Sequence, residues 1–194
     1  MKRIVQCMAI ASILFAATAS AHESSGIASG FISGFLHPIF GWDHVAAMVA
    51  VGLWGAFLGS PALWILPVVF PLVMALGGAL GVVGVAIPAV ETGIAGSALI
   101  LGAMVAFAVR PPIWVAAVIV GLFAIFHGHA HGTELPNAAN ALTYSLGFVL
   151  STGLLHLGGI AFGHLVKWPA GKIAVQTGGG LIALAGAGFL SGVV

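Results

Sequence analysis

The sequence predicts an all-α integral membrane protein, with six transmembrane helices following a cleaved signal peptide and the N-terminus outside. Three observations carry this. Of 194 residues, 61% are hydrophobic and only 5% charged, whereas soluble domains carry roughly a quarter charged residues. Mean hydropathy is +1.21, which excludes a disordered chain, because disorder needs low hydrophobicity and high charge. Neither strict apolar–polar alternation nor strand-like segments of about ten residues occur, which argues against a membrane barrel. Helices satisfy their own backbone in lipid and remain as the solution. Five Lys and Arg in total provide no basic surface for nucleic acid.

Residues 1–21 read as the signal peptide. Lys2 and Arg3 form the positive start, Ile4 to Ala17 an apolar stretch shorter than the ~20 residues of a span, and Ala19-Ser20-Ala21 the small residues at a cleavage site. An uncleaved first anchor would share that apolar profile. Cleavage makes His22 the new N-terminus and removes Cys7, the only cysteine. Residues 22–194 are then one six-helix transmembrane domain with neither disulfide nor thiolate ligand.

A window of about 20 apolar residues, punctuated by Gly, Pro and charge, places the spans at 40–58, 63–83, 93–109, 113–126, 142–166 and 173–194. The fourth is short unless it continues through the histidines that follow. With the N-terminus outside, the loops after spans one, three and five face the cytoplasm. They hold Arg110, Lys167 and Lys172, all the positive charges left after cleavage, while Glu23, Glu91 and Glu134 fall outside. The mature chain then has three Lys or Arg against four Asp or Glu, a net charge of −1. Within the spans, Gly77/Gly81, Gly159/Gly163 and Gly188/Gly192 have the spacing that lets helix backbones approach. Pro67 and Pro71 remove hydrogen bonds inside span two, making either a packing kink or a gap where carbonyls face a path.

Polar residues are expensive in lipid and therefore informative. Residues 37–44 read HPIFGWDH, and Pro38 suits the first turn of a helix with His37 just before it. On that helix His37 and His44 are two turns apart, about 10 Å along the axis. Either His44 with Asp43 forms an inner site with His37 at its mouth, or a turn at Pro38 folds His37 back toward them. Residues 126–134 read FHGHAHGTE. His127 and His131, at i and i+4, share a helical face as two ligands of one metal often do. His129 points elsewhere, and Glu134 adds a carboxylate. The topology brings both clusters to the outer side of the membrane. Deeper in span five, His156 is either core or a second stop on a route inward; His164 reads as hydrogen-bonded core.

With these motifs, a signal peptide and six spans, the chain resembles the HupE/UreJ family of nickel permeases and hydrogenase or urease accessory membrane proteins. The stretch HPIFGWDHVAAMVAVG carries most of the likeness, and FHGHAHGTE the rest. More loosely, the first motif is similar to the histidine-aspartate-histidine signature of nickel–cobalt transporters, which has one fewer spacer residue. The resemblance implies metal-handling roles for His37, Asp43, His44, His127, His131 and Glu134, and nickel uptake serving hydrogenase or urease maturation.

The donor set by itself points to a divalent first-row metal. Imidazoles suit Zn, Cu, Fe and Ni, and a mature chain without Cys argues against a soft Cu(I) thiolate site. The expected function is a secondary permease carrying Ni2+, with Co2+ or another divalent ion as alternative cargo, from periplasm to cytoplasm across the inner membrane. The metal is cargo and no prosthetic group is expected. Glu91 and Glu23 add negative potential at the mouth, His22 offers its amine and ring as a chelate, and His129 and His156 are secondary candidates. The absence of a Walker A sequence argues against ATP hydrolysis. Two other classes use the same residues: an intramembrane metal-dependent hydrolase, with Asp43 activating water on a histidine-held zinc, and a metal-binding accessory protein that does not transport.

Overall fold

The computed structural model describes residues 27–135 and 140–193, so the expected signal peptide, His22 and Glu23 lie outside the described residues. Among the described residues there are seven α-helices and one 3-10 turn. They are α1 (Ile27–Phe40), α2 (Trp42–Leu58), α3 (Ala62–Val82), α4 (Val90–Ala106), α5 (Ile113–Thr133), α6 (Ala141–Gly163) and α7 (Pro169–Ser191), with the 3-10 turn at His164–Lys167. No strand occurs among the described residues. Helices α2 to α7 fall on the six expected spans.

Four helices, α3, α5, α6 and α7, are long and apolar enough to cross a membrane, and α1 with α2 makes a fifth candidate bent by 79°. Helix α4, at 17 residues, is shorter. Exposed Leu, Val or Ile side chains line the outer surface of every described helix except α2, as lipid-facing sides must.

The beginning of the chain departs from expectation. Pro38 does not start a helix; it lies inside α1, and the break falls at Gly41, with extended backbone (φ −84°, ψ 102°) ahead of Trp42. An extra helix therefore precedes the first expected span. Its apolar run is shorter than a span, so hydropathy alone did not separate it from a loop. The fourth span does continue through its histidines, to Thr133.

Small residues set the packing. Helices α3 and α5 run parallel at backbone contact: a Cβ on Gly77 would strike Ile125 O, and one on Gly128 would strike Met74 O. Helices α2 and α6 meet in the same way at Gly52 and Gly159, and α6 also packs along α1 through Gly34 and Gly147. The Gly188/Gly192 pair is a correction. Gly192 has φ 68° and caps α7 with open space around it, while Gly179 and Gly186 form the close approach of α7 to α4. Helix α3 stays helical through Pro67 and Pro71. Pro71 nevertheless has no N–H to offer the carbonyl of Pro67, four residues back.

At one end, the termini of α2 and α4 and the start of α7 converge. Trp54 Nε1–H donates to Val109 O at 3.0 Å, Gln176 Nε2–H donates to Ala106 O at 3.0 Å, and Arg110 lies 4.6 Å over the Phe57 ring. This end carries the exposed Arg110, Lys167 and Lys172, flanked by the exposed Trp64, Trp114 and Trp168. Indoles of this kind favour the membrane–water boundary.

Candidate metal site

The histidines lie at the opposite end. On α5, His127 and His131 occupy one face, and Gly128 and Gly132 the face one step round. The glycines seat that turn against the α3 backbone at Met74 and Gly78, which leaves the imidazoles facing inward. The break at Gly41 turns α2 away from α1 and brings His37 and His44 to 6.0 Å between ring centroids. A continuous helix would hold them about 10 Å apart. Gly41 keeps this corner uncrowded, since a Cβ there would lie 3.0 Å from His44 Nδ1 and 3.2 Å from Asp43 Oδ1.

Four rings from the two segments interlock. His37 meets His131 at 4.6 Å, His131 meets His44 at 4.7 Å, and His44 meets His127 at 4.8 Å, all edge to face. Exposure falls along this chain. The side chains of Glu134 and His37 are 52% and 34% exposed and lie 3.4 Å apart, whereas His127 is wholly buried. Among the described residues, no three His, Cys, Asp or Glu side chains already stand as a converged ligand set. The rings present edges to one another, so capture of an ion requires them to turn.

Hydrogen bonds fix which nitrogens are free to do so. Asp43 Oδ1 accepts from the backbone N–H and the Nδ1–H of His44, both at 2.8 Å. The Nε2 lone pair of His44 is thereby left buried and unpartnered. Ser97 on α4 donates its hydroxyl hydrogen to Ile94 O, so at 2.9 Å its oxygen accepts from His127 Nε2–H. That leaves Nδ1 of His127 as the free lone pair, also buried and unpartnered. Both arrangements match the way metal-binding histidines are oriented by a hydrogen bond to the other ring nitrogen. Both nitrogens of His131 are buried without partners as well.

Of the residues expected from sequence, His37, Asp43, His44, His127, His131 and Glu134 are thus gathered in one region. His129 is turned away, donating Nε2–H to Val85 O at 2.7 Å. Glu91 is exposed in the first turn of α4 and makes none of these ring contacts. His164 is exposed rather than core and donates Nδ1–H to Ile160 O at 3.0 Å. His156 is buried on α6, beneath the cluster.

Three participants escaped the sequence reading. Ser97 is one small polar residue in an apolar helix, with no local pattern to mark it. Tyr144 packs 6.4 Å from His37, and Phe148 packs 3.8 Å from His131. Their spacing with Thr152 and His156 by fours along α6 was the available signal.

These features define a class: a multi-pass helical membrane protein whose buried polar groups are concentrated in a histidine cluster at one end. A family model described as HupE / UreJ protein matches residues 10–189. Protein HupE of Rhizobium leguminosarum bv. viciae is 49% identical over 173 residues, covering 89% of this chain and 91% of that protein. No solved structure gives a significant match. The chain belongs to the HupE/UreJ family.

Proposed function

We propose that this protein is a secondary permease that carries Ni2+ inward across the bacterial inner membrane, supplying hydrogenase or urease. The observation that supports this best is the chain of four imidazoles, graded from an exposed carboxylate–histidine pair to a fully buried ring. On this reading α2 to α7 form six spans after a removed signal peptide, and the histidine end faces the periplasm. The exposed Arg110, Lys167 and Lys172 at the other end support that orientation.

In the mechanism we envisage, a hydrated ion meets Glu134 and His37, with the negative field of Glu91 and Glu23 favouring its approach and His22 offering its amine and ring as a chelate. It exchanges water for imidazole nitrogen as His131, His44 and His127 turn their free lone pairs toward it. Asp43 and Ser97 hold the opposite ring nitrogens as donors throughout. A divalent ion moving down a membrane potential gains roughly 4.6 kcal/mol per 100 mV, about three orders of magnitude in accumulation. No catalytic role is assigned, and the resemblance of the chain to transport and accessory proteins agrees with that. Co2+ is the next cargo considered.

The test is uptake of radiolabelled nickel into proteoliposomes holding the purified full chain. We expect accumulation against empty vesicles, lost on His44→Ala at equal inserted amounts. Binding without accumulation would sink the permease reading, and unchanged uptake by His44→Ala would remove that residue from the site.

A further inference from the structure

The cluster does not end the series of unsatisfied polar atoms. Helix α6 carries Tyr144, Phe148, Thr152 and His156 at intervals of four, one face of the helix descending about 6 Å per step. Tyr144 and Phe148 lie against the cluster, at His37 and His131. Below them, Thr152 Oγ1 and both ring nitrogens of His156 are buried with no hydrogen-bond partner, as is the neighbouring Ser151 Oγ. Such groups cost about 1–3 kcal/mol each when left unmet, so a row of them on one helix needs a purpose.

The surroundings of His156 suggest one. Its ring lies 5.3 Å from Phe70, whose other neighbour is His127 at 5.4 Å. A single aromatic ring thus separates the deepest histidine of the cluster from His156. Beside it is Pro67, whose carbonyl has lost its helical partner to Pro71 and lies close to the imidazole. His156 and Pro67 line an outward-open groove of about 350 Å³ between α3 and α6, and His131 lines a space of about 320 Å³ among α3, α5 and α6; Val149 borders both.

We propose that His156 is a second, inner metal-binding station. It receives Ni2+ from the cluster past Phe70, with the Thr152 hydroxyl and the Pro67 carbonyl as oxygen donors beside the imidazole. This rests on the permease reading and adds the position at which the ion pauses after leaving the outer cluster. A path with one site would hold its cargo at the mouth, while a second site of similar donors lets the ion leave the first.

Two measurements on the purified full chain test the station. In proteoliposomes, His156→Gln is expected to lower nickel uptake at least about tenfold, the equivalent of ~1.4 kcal/mol, with the Kd for the first bound Ni2+ within twofold of wild type. Retained uptake would overturn the proposal, and so would loss of that first binding event, which would make His156 part of the outer site or of the core. Independently of transport, the His37→Ala/His44→Ala chain should keep one weaker Ni2+ site that disappears when His156→Gln is added. Residual binding indifferent to His156→Gln overturns the station. Failure of the wild type to accumulate nickel would instead reject the permease reading, with this binding arm still deciding on His156.

Discussion

The two histidine segments reach the same place by opposite means. Residues 37–44 do so by breaking a helix: only because α1 stops at Gly41 and α2 departs at 79° do His37 and His44 come within 6.0 Å. Residues 126–134 do so by continuing one, since the regular turn of α5 puts His127 and His131 on one face and Gly128 and Gly132 on the next. The difference lies in what each segment depends on. The first rests on a break at one residue, the second on the closeness of two whole helices.

That asymmetry orders the consequences of substitution. The largest effect is expected on the α5 side. Gly128→Val places a branched side chain where even a Cβ would overlap Met74 O and crowd Gly78 N, and backbone cannot yield as a flexible side chain can. We expect no monodisperse protein on size-exclusion chromatography in detergent. A folded Gly128→Val chain would mean that α3 and α5 separate without loss, and that α5 does not need α3 to aim its histidines.

Next comes the orientation of His127. Ser97→Ala removes the acceptor for Nε2–H, so the proton is free to move to Nδ1 and the free lone pair is no longer directed. Loss of a ligand-orienting partner typically costs about 10–100-fold in metal affinity, and we expect roughly tenfold weaker Ni2+ binding at unchanged expression. Ser97→Thr retains the hydroxyl and should restore binding. Equal affinities in all three chains would leave His127 outside the ligand set.

On the α1–α2 side the effects should be smaller, because the obstruction is side chain rather than backbone. Gly41→Ala puts a Cβ 3.0 Å from His44 Nδ1 and 3.2 Å from Asp43 Oδ1, contacts that a shift of a few tenths of an ångström relieves. Its extended φ of −84° suits alanine. The protein should fold, and Ni2+ affinity should fall about threefold as the Asp43–His44 pair is displaced. A loss as large as that of Ser97→Ala would show the break at Gly41 to be less forgiving than the geometry implies.

The contrast also marks what was legible in the sequence. Helical periodicity is regular, so the shared face of His127 and His131, and the divergence of His129, followed from spacing alone. The helix break at Gly41 did not. Proline at position 38 is acceptable both as a first-turn residue and inside a helix whose preceding turn adapts, and Gly41 has no positive φ to announce a turn. Close pairs of small residues located the α3–α5 and α2–α6 contacts, but the same spacing at Gly188 and Gly192 marked a cap, because a helix end and a helix interface both favour glycine. Ser97 and Phe70 belong to other helices and become neighbours of the cluster only through packing, which no window along the chain contains.

The smallest effect is the most discriminating. His129 lies two residues from both cluster histidines of α5, yet its Nε2–H reaches Val85 O in the connection after α3, and its ring is 6% exposed. His129→Gln can still donate from its amide to that carbonyl, so stability should drop by no more than about 1 kcal/mol, read as a small fall in Tm. Ni2+ affinity and uptake should stay within twofold of wild type. His131→Gln, which removes an unpartnered ring from the centre of the imidazole chain, should lose uptake with little change in Tm. If His129→Gln instead impaired uptake as His131→Gln does, the motif would act through its histidine content rather than through a helical face, and the geometric distinction between the two halves of the site would fail.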